Sequence, residues 1–142
     1  ASGGYDYIGG VTSWPSTTGN TSMNGGNVTL ETRTYTTLGV KMSSYVSATK
    51  CYVALYSSGG STRLAYGECS PRTADEWCEA SINYSATAGT HQLWFGCDSS
   101  VNMYYAASGC TGKYATYADP PVAENIEQGN NGATCNAMRI GY

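Results

Sequence analysis

The chain has 142 residues, of which ten are acidic and seven basic, so its formal net charge is −3. Only 12% of the residues are charged, about half the usual share of ~25%, so Ser, Thr, Asn, Gly and Tyr must supply most of the wetted surface. The basic residues are scattered, which argues against nucleic acid as a partner, and no apolar run approaches the roughly 20 residues that span a membrane.

Residues 1–26 are rich in Gly, Ser, Thr and Asn and predict an N-terminal arm or a first strand, whereas residues 27–142 predict a single β domain stabilised by disulfides. The candidate contact residues of this arm are Tyr5, Tyr7, Ile8, Val11 and Trp14. Such an arm can add a strand to a neighbouring sheet through backbone hydrogen bonds and pocketed side chains. The alternative is that it packs on its own domain.

Alternation with a period of two follows the arm and is typical of half-buried strands. Val28 and Leu30 fall on one face of the first such segment, and Leu38, Val40 and Met42 continue the pattern.

Two hairpins are predicted next, each from a pair of β-rich segments around a turn. The first pairs 52–56 with 62–68 and sets Leu55 opposite Leu64. The second pairs 79–84 with 92–97 and sets Ile82 opposite Leu93. Residues 101–107 and 114–117 are weaker strand candidates.

Pro120-Pro121 opens the only helical turn that we predict, at residues 122–128, because proline suits a helix start and Gly129 suits its end. Residues 133–142 are predicted to form a last strand, with Thr134, Asn136, Met138 and Ile140 on one face. Short strands separated by turn residues predict an all-β fold: an antiparallel two-sheet β-sandwich with three disulfides and at most one short helix.

Six cysteines in a chain of this length predict a secreted, extracellular protein, because disulfides persist only in oxidising compartments. The small residues Ala1-Ser2-Gly3 fit the start expected after signal-peptide cleavage. Zinc sites usually show closely spaced Cys and His pairs, but this chain has no CxxC and one histidine. We therefore expect no metal and no cofactor.

The cysteines expected to form bridges are Cys51, Cys69, Cys78, Cys97, Cys110 and Cys135. Cys110 with Cys135 is the simplest pair, since it ties the proline-containing loop and the terminal strand to the body. The other four allow two schemes. In the first, Cys78 opposes Cys97 in the second hairpin and Cys51 lies near Cys69. In the second, Cys51 joins Cys97 across the sandwich and Cys69 joins Cys78 around a loop. The sequence favours neither.

Catalytic chemistry finds little support. His91 is the only imidazole, and no GxSxG motif offers a hydrolytic serine. The acidic stretch 75–79 contains Trp77 and raises glycoside cleavage or calcium binding as alternatives, yet three acids in a loop are usually solvated. We expect a protein that is not an enzyme.

The second half of the chain holds the other candidate binding residues, which are Tyr104, Tyr105, Tyr114 and Tyr117. Aromatic rings on a flat β surface can stack on sugars or form the core of a protein interface. Because Tyr104 and Tyr105 are adjacent, one of them must point outward if their segment is a strand.

Three functions follow from these features. The first is a secreted, non-enzymatic interaction or assembly protein whose partner is itself or another extracellular protein, reached through the N-terminal arm. The second is a carbohydrate-binding module that uses exposed Tyr and Trp. The third is a protease inhibitor, with the 69–78 loop as bait and Arg72 as the side chain for a trypsin-like pocket.

Overall fold

A computed structural model describes residues 3–45, 47–73 and 75–142. It confirms the predicted all-β architecture of two antiparallel sheets, with 58% of residues in strands and 4% in helical turns. The strands are β1 Tyr5–Tyr7, β2 Ser16–Asn20, β3 Met23–Leu30, β4 Thr34–Tyr45, β5 Cys51–Ser57, β6 Arg63–Cys69, β7 Glu76–Ser85, β8 Gly89–Cys97, β9 Val101–Ala106, β10 Lys113–Ala115, β11 Gly129–Asn130, β12 Cys135–Asn136 and β13 Met138–Gly141. In the described part of the chain, no helix is long and apolar enough to cross a membrane.

The first sheet is built around β4. This strand pairs with β7 along one side and with β13 and β9 along the other. The sheet is extended by β1 beyond β13 and by β2 beyond β9, while β12 also pairs with β9. The second sheet has the strand order β11-β10-β3-β8-β5-β6.

The main core lies between the sheets and confirms the predicted alternation. Val28 and Leu30 of β3 and Leu38, Val40 and Met42 of β4 are each at most 1% exposed. They pack into one apolar cluster with inward side chains of the other strands. Burial of this interior supplies the main driving force for folding.

The outer face of the second sheet is also covered. A smaller apolar cluster there consists of Met23, Ala54, Tyr56, Trp94, Ala115 and Ile126, with Tyr117 packed against it. The polar groups of Trp94, Gln92 and Glu127 next to it are paired: Trp94 Nε1 donates to Gln92 Oε1 at 2.8 Å, and Gln92 Nε2 donates to Glu127 Oε2 at 3.2 Å. Lys113 Nζ lies 2.9 Å from Glu127 Oε1.

The helical turn predicted at residues 122–128 does not form, because its backbone bonds to another part of the chain. The amides of Asn125 and Ile126 donate to the carbonyls of Ser61 and Gly60 at 2.9 and 3.0 Å, and Ala123 O accepts from Arg63 N. Ile126 is 2% exposed and fills the outer cluster. An extended segment satisfies these groups and buries this side chain together.

Of the two predicted hairpins, the first is confirmed with a shifted register. β5 pairs with β6, but Leu55 faces Ala65, because a bulge between Leu55 and Tyr56 leaves Leu64 as an extra residue. Tyr66 therefore lies on the outer face, 41% exposed.

The second predicted hairpin is wrong. Residues 79–84 lie in β7, which pairs with β4, and residues 92–97 lie in β8, which pairs with β3 and β5. The short link between them crosses from one sheet to the other, where Ala86 N donates to Arg33 O at 2.9 Å. Ile82 therefore does not oppose Leu93.

The disulfides are Cys51–Cys97, Cys69–Cys78 and Cys110–Cys135. The predicted Cys110–Cys135 pair and the pairings of the second scheme are confirmed. The predicted positions of two bridges are wrong, however. Cys51–Cys97 does not cross the sandwich, because these residues are paired positions of adjacent strands in one sheet. It is Cys69–Cys78 that joins the two sheets, through β6 and β7.

The N-terminal segment pairs with its own chain. β1 pairs with β13 and β2 pairs with β9, both antiparallel, and β3 runs through the boundary at residues 26 and 27. Ala1 and Ser2 lie outside the described residues.

We predict that Glu127→Gln lowers the free energy of unfolding by about 1.5–3 kcal/mol at pH 7, the scale of a hydrogen bond to a charged group. Burial raises the pKa of Glu127, but hydrogen bonds from Lys113 and Gln92 outweigh it and hold that pKa below its ordinary value. The stabilisation by the ionised Glu127 side chain is therefore fully present above the pKa of this group in the unfolded chain, about 4.3. It disappears as the pH falls through the lower pKa of the folded state.

Urea unfolding at pH 7 and at pH 3, followed by tryptophan fluorescence, checks this expectation. Glu124→Gln, at an exposed position of the same segment, is the control. A stability difference that stays the same at both pH values would contradict the role of the Glu127 charge.

Candidate functional site

Aromatic rings from three parts of the chain meet on the outer face of the first sheet. Ring centroids lie 6.3 Å apart for Tyr5 and Tyr7, 5.6 Å for Tyr7 and Trp14, and 5.7 Å for Trp14 and Trp77. A cation lies between two of them: Arg139 Cζ is 3.8 Å from the ring centres of both Tyr5 and Trp77. We call these four rings with Arg139 the aromatic cluster.

The floor of the aromatic cluster is made by β4. A side chain at Gly39 would bring its Cβ within 2.8 Å of Glu79 Cγ, so the missing side chain leaves room for Glu79. That carboxylate accepts from Arg139 Nη2 at 3.0 Å and from Nε at 3.2 Å. Lys41 Nζ lies 5.9 Å from the Trp14 ring and 5.0 Å from the Tyr104 ring.

The aromatic cluster attaches the N-terminal segment to the sheet. Its rings are tilted by 46–77° to one another and offer no shared flat platform for a ligand. Trp14 Nε1 is buried and has no hydrogen-bond acceptor among the described residues. The contacts of the indole ring must offset the cost of that unpaired donor.

The 3₁₀ turn Ile8–Gly10 completes the docking. Ile8 is 1% exposed and belongs to the main core, so it is not available to a partner. Gly9 has φ 61°, and a Cβ there would collide with Cys110 Sγ. Glycine therefore lets the turn lie directly against the Cys110–Cys135 bridge.

Docking of this segment creates a groove of about 550 Å³, which we call the N-terminal groove. Its lining residues are Asp6, Tyr7, Gly9, Gly10, Asn27, Thr29, Glu31 and Thr90. A further recess, lined by Gly109, Cys110 and Thr111, shares Gly9 and Asn27 with it, so the two lie next to each other. Polar side chains, two of them carboxylates, make up most of the side chains of its lining.

The buried Tyr35 fixes two lining residues of the N-terminal groove, Asp6 and Glu31, through hydrogen bonds. Its hydroxyl donates to Asp6 Oδ2 at 2.6 Å and accepts from Glu31 N at 3.0 Å. Burial, followed by the bond to Asp6, raises the pKa of Tyr35 to about 12. The hydroxyl therefore stays protonated at neutral pH and fixes the Asp6 carboxylate.

The structure separates the other predicted binding residues. Tyr104 lies beside Lys41 on the outer face, and its hydroxyl donates to Asp75. Tyr105 points to the opposite face of β9 and lines a different cavity. Tyr114 is 44% exposed on β10. Val11 is half-buried beside Gly109, and Tyr117 packs against the outer cluster with a buried, unpaired hydroxyl among the described residues.

Arg72 is engaged with its own loop. Its Nε donates to Glu76 Oε2 at 3.0 Å, and its second contact with the same oxygen makes an ion pair. A bait arginine must extend away from the surface, so inhibition stays a prediction without structural support.

The acidic stretch does not converge on one point. Glu76 pairs with Arg72, Glu79 with Arg139, and Asp75 with Tyr104. His91 is half-buried, with Nδ1 3.1 Å from Gly89 O. In the described residues, no three His, Cys, Asp or Glu side chains are grouped as for a metal ion.

Sequence reasoning missed Arg139 in the aromatic cluster and Lys41 beside it. It also missed Asn27, Thr29, Glu31 and Thr90 in the N-terminal groove. The outward position of Thr29 and Glu31 on an alternating strand was the available signal. Nothing in the sequence indicated that the N-terminal segment would lie next to them.

No family model matches the sequence, and no curated protein matches it. Among solved structures, the clostridial cysteine protease Cwp84, after propeptide cleavage, matches 98% of this chain with a TM-score of 0.56 and 8% identity. The chain spans 40% of the length of that protein. This likeness shows the fold alone.

Two other solved structures have a TM-score of 0.37 and 12% identity. One is a carbohydrate-binding module from Cellvibrio mixtus lichenase 5A in complex with cellotriose, matched over 71% of this chain and 92% of the module. The other is an exo-β-1,3-galactanase from Phanerochaete chrysosporium with galactose, matched over 100% of this chain and 30% of the enzyme. At this TM-score neither informs the function.

We predict that Trp14→Ala releases the N-terminal segment and lowers the free energy of unfolding by about 1–3 kcal/mol, less than for a fully buried Trp. Trp14→Phe keeps an aromatic ring and removes the unpaired N–H, so it should lower the free energy of unfolding by less than Trp14→Ala does. Hydrogen exchange should rise in residues 5–20 and stay unchanged in β5 and β8.

Tyr45→Ala, at a 46% exposed aromatic position of β4, is the control. Unchanged exchange of residues 5–20 in Trp14→Ala would show that the aromatic cluster does not hold the segment.

Proposed function

We propose that this chain is a secreted, non-enzymatic binding module that takes a neutral glycan in the N-terminal groove. The observation that carries the proposal is the lining of that groove, where amide, hydroxyl and carboxylate side chains lie together beside Tyr7. Its volume of about 550 Å³ falls in the range of roughly 300–1,000 Å³ typical of ligand sites.

The chemistry of the lining suits a sugar. Carboxylates and the Asn27 amide accept and donate hydrogen bonds in a plane, which matches pairs of neighbouring sugar hydroxyls. Asp6 and Glu31 carry negative charge, so uronic acids are disfavoured by repulsion.

A protein partner has less support at this groove. Protein interfaces rely on buried aromatic or aliphatic anchors at their centre. The described lining contains no Leu, Ile, Val, Met or Phe. Disulfide bonding of all six cysteines also leaves no thiolate for nucleophilic chemistry, in keeping with a non-enzymatic role.

Self-association through a donated N-terminal strand stays a prediction. β1 and β2 already pair with β13 and β9 of the same chain, so donation would require their release. Light scattering of the native protein tests this: a mass of one chain would remove the assembly hypothesis, and a regular oligomer would support it.

Retention on insoluble cellulose, xylan and chitin tests the glycan proposal, with soluble polygalacturonate as the acidic probe in affinity electrophoresis. We expect retention on at least one neutral polymer. Asn27→Ala and Thr29→Val should each weaken it about tenfold, the effect of losing roughly 1.4 kcal/mol of hydrogen bonding.

The matched controls are Asn83→Ala and Thr36→Val, at exposed strand positions outside the groove. Failure of the wild type to bind all three neutral polymers would reject the proposal. If the groove variants and the control variants were retained equally on a polymer, its binding site would lie outside the N-terminal groove.

A further inference from the structure

A second cavity, of about 240 Å³, opens between the edges of the two sheets, and we call it the amide pocket. Its lining residues are Thr18, Gly19, Asn20, Asn24, Met103, Tyr105, Asn131, Thr134 and Asn136. Four asparagines and two threonines meet here, and no charged side chain of the described residues contributes to the lining. None of these residues lines the N-terminal groove.

Two of the amides are buried parts of the fold. Asn24 is 5% exposed and Asn136 is 4% exposed, although both are polar. Asn24 comes from β3 of the second sheet and Asn136 from β12 of the first, so the pocket is built by both sheets. Buried amides of this kind are costly unless their hydrogen bonds are met.

The amides are held in place by one another. Asn24 Nδ2 donates to Asn20 Oδ1 at 2.5 Å, and Asn131 Nδ2 donates to Asn24 Oδ1 at 3.4 Å. Asn136 Nδ2 reaches Gly25 O at 3.5 Å. An asparagine offers two N–H donors and a carbonyl with two lone pairs, so these bonds orient the amides and leave capacity for a ligand.

The remaining wall of the amide pocket is less polar. Met103 and the Tyr105 ring lie on the inward face of β9 and border the amides. A ligand that fits must therefore have a polar edge with both donors and acceptors, an apolar face and no charge. The volume, below the usual range for a ligand cleft, suits one ring and not a chain.

We infer that the amide pocket binds a single neutral monosaccharide unit, either free or at the end of a glycan. This inference stands on other residues than the proposed groove and holds or fails independently of it. A pyranose supplies the required polar edge through its hydroxyls and the apolar face through its C–H groups. A uronate would bury its charge against amides with no cation in the lining, which is unfavourable.

An NMR titration of the ¹⁵N-labelled full chain tests this inference. The ligands are the methyl glycosides of glucose, galactose, mannose and N-acetylglucosamine, added up to about 50 mM so that a millimolar Kd can be measured. At least one should shift amide resonances of residues 18–24, 103–105 and 131–136. Methyl glucuronide should shift them less than methyl glucoside does.

Asn131→Ala removes an exposed amide of the pocket and should weaken the shifting glycoside about tenfold. Asn130→Ala is the matched control, because the neighbouring Asn130 is exposed and bonds to Lys113 instead of lining the pocket. Tyr105→Leu should also weaken binding, since it removes the ring. The folded state of each variant is confirmed by its NMR spectrum.

No shift with any of the four glycosides would overturn the inference. So would equal affinity of Asn131→Ala and Asn130→Ala, or shifts confined to residues 6–10, 27–31 and 90, which would place the sugar in the N-terminal groove. Conversely, pocket shifts that persist in Asn27→Ala, without retention on any polymer, would reject the groove proposal and leave this one standing.

Discussion

The candidate groove depends on how the N-terminal segment is fastened to the sandwich. Arg139 is central to that attachment, because its guanidinium contacts the rings of Tyr5 and Trp77 while Glu79 accepts two of its hydrogen bonds. One side chain therefore connects β1, β7 and β13. Cation–π contacts of this kind gain strength where water is partly excluded. These contacts add to the β1–β13 pairing and to the burial of Ile8 in holding the segment that forms one wall of the N-terminal groove.

Covering both faces of the second sheet has consequences for its polar groups. With one face against the first sheet and the other under the segment that follows β10, the polar groups near Trp94 have little access to water. Gln92 and Glu127 meet this constraint by bonding to Trp94 and Lys113. In the amide pocket, polar groups are also buried, and there asparagine side chains form the hydrogen bonds that Glu127 and Lys113 form near Trp94. In both places, burial forces polar side chains into fixed orientations, and fixed orientation favours selective binding.

Local patterns in the sequence were informative where contacts are local. The alternation of Val28 with Leu30 and of Leu38 with Val40 predicted strands correctly, because a period of two reports one buried face. The β5–β6 hairpin was also predictable, since a short Gly-containing turn joins its strands. Its register was not, because the bulge at Leu64 leaves no separate mark in the pattern. The sequence of residues 79–84 and 92–97 also resembles a hairpin. In the structure these segments do not pair with each other: the first pairs with β4 and the second with β3 and β5.

The candidate sites show the same division. The sequence indicated Tyr5 and Trp14 as contact residues of the arm and Tyr104 as an aromatic binding candidate. The cations next to them, Arg139 and Lys41, come from strands distant in sequence. Composition and cysteine content by themselves determined an all-β, disulfide-bonded domain, because residue preferences and thiol chemistry act locally. Which cysteines pair, which sheet each strand joins, and which polar residues share a cavity were decided only by the tertiary structure. The reason is that alternation reveals which side of a strand is buried and carries no information about what buries it.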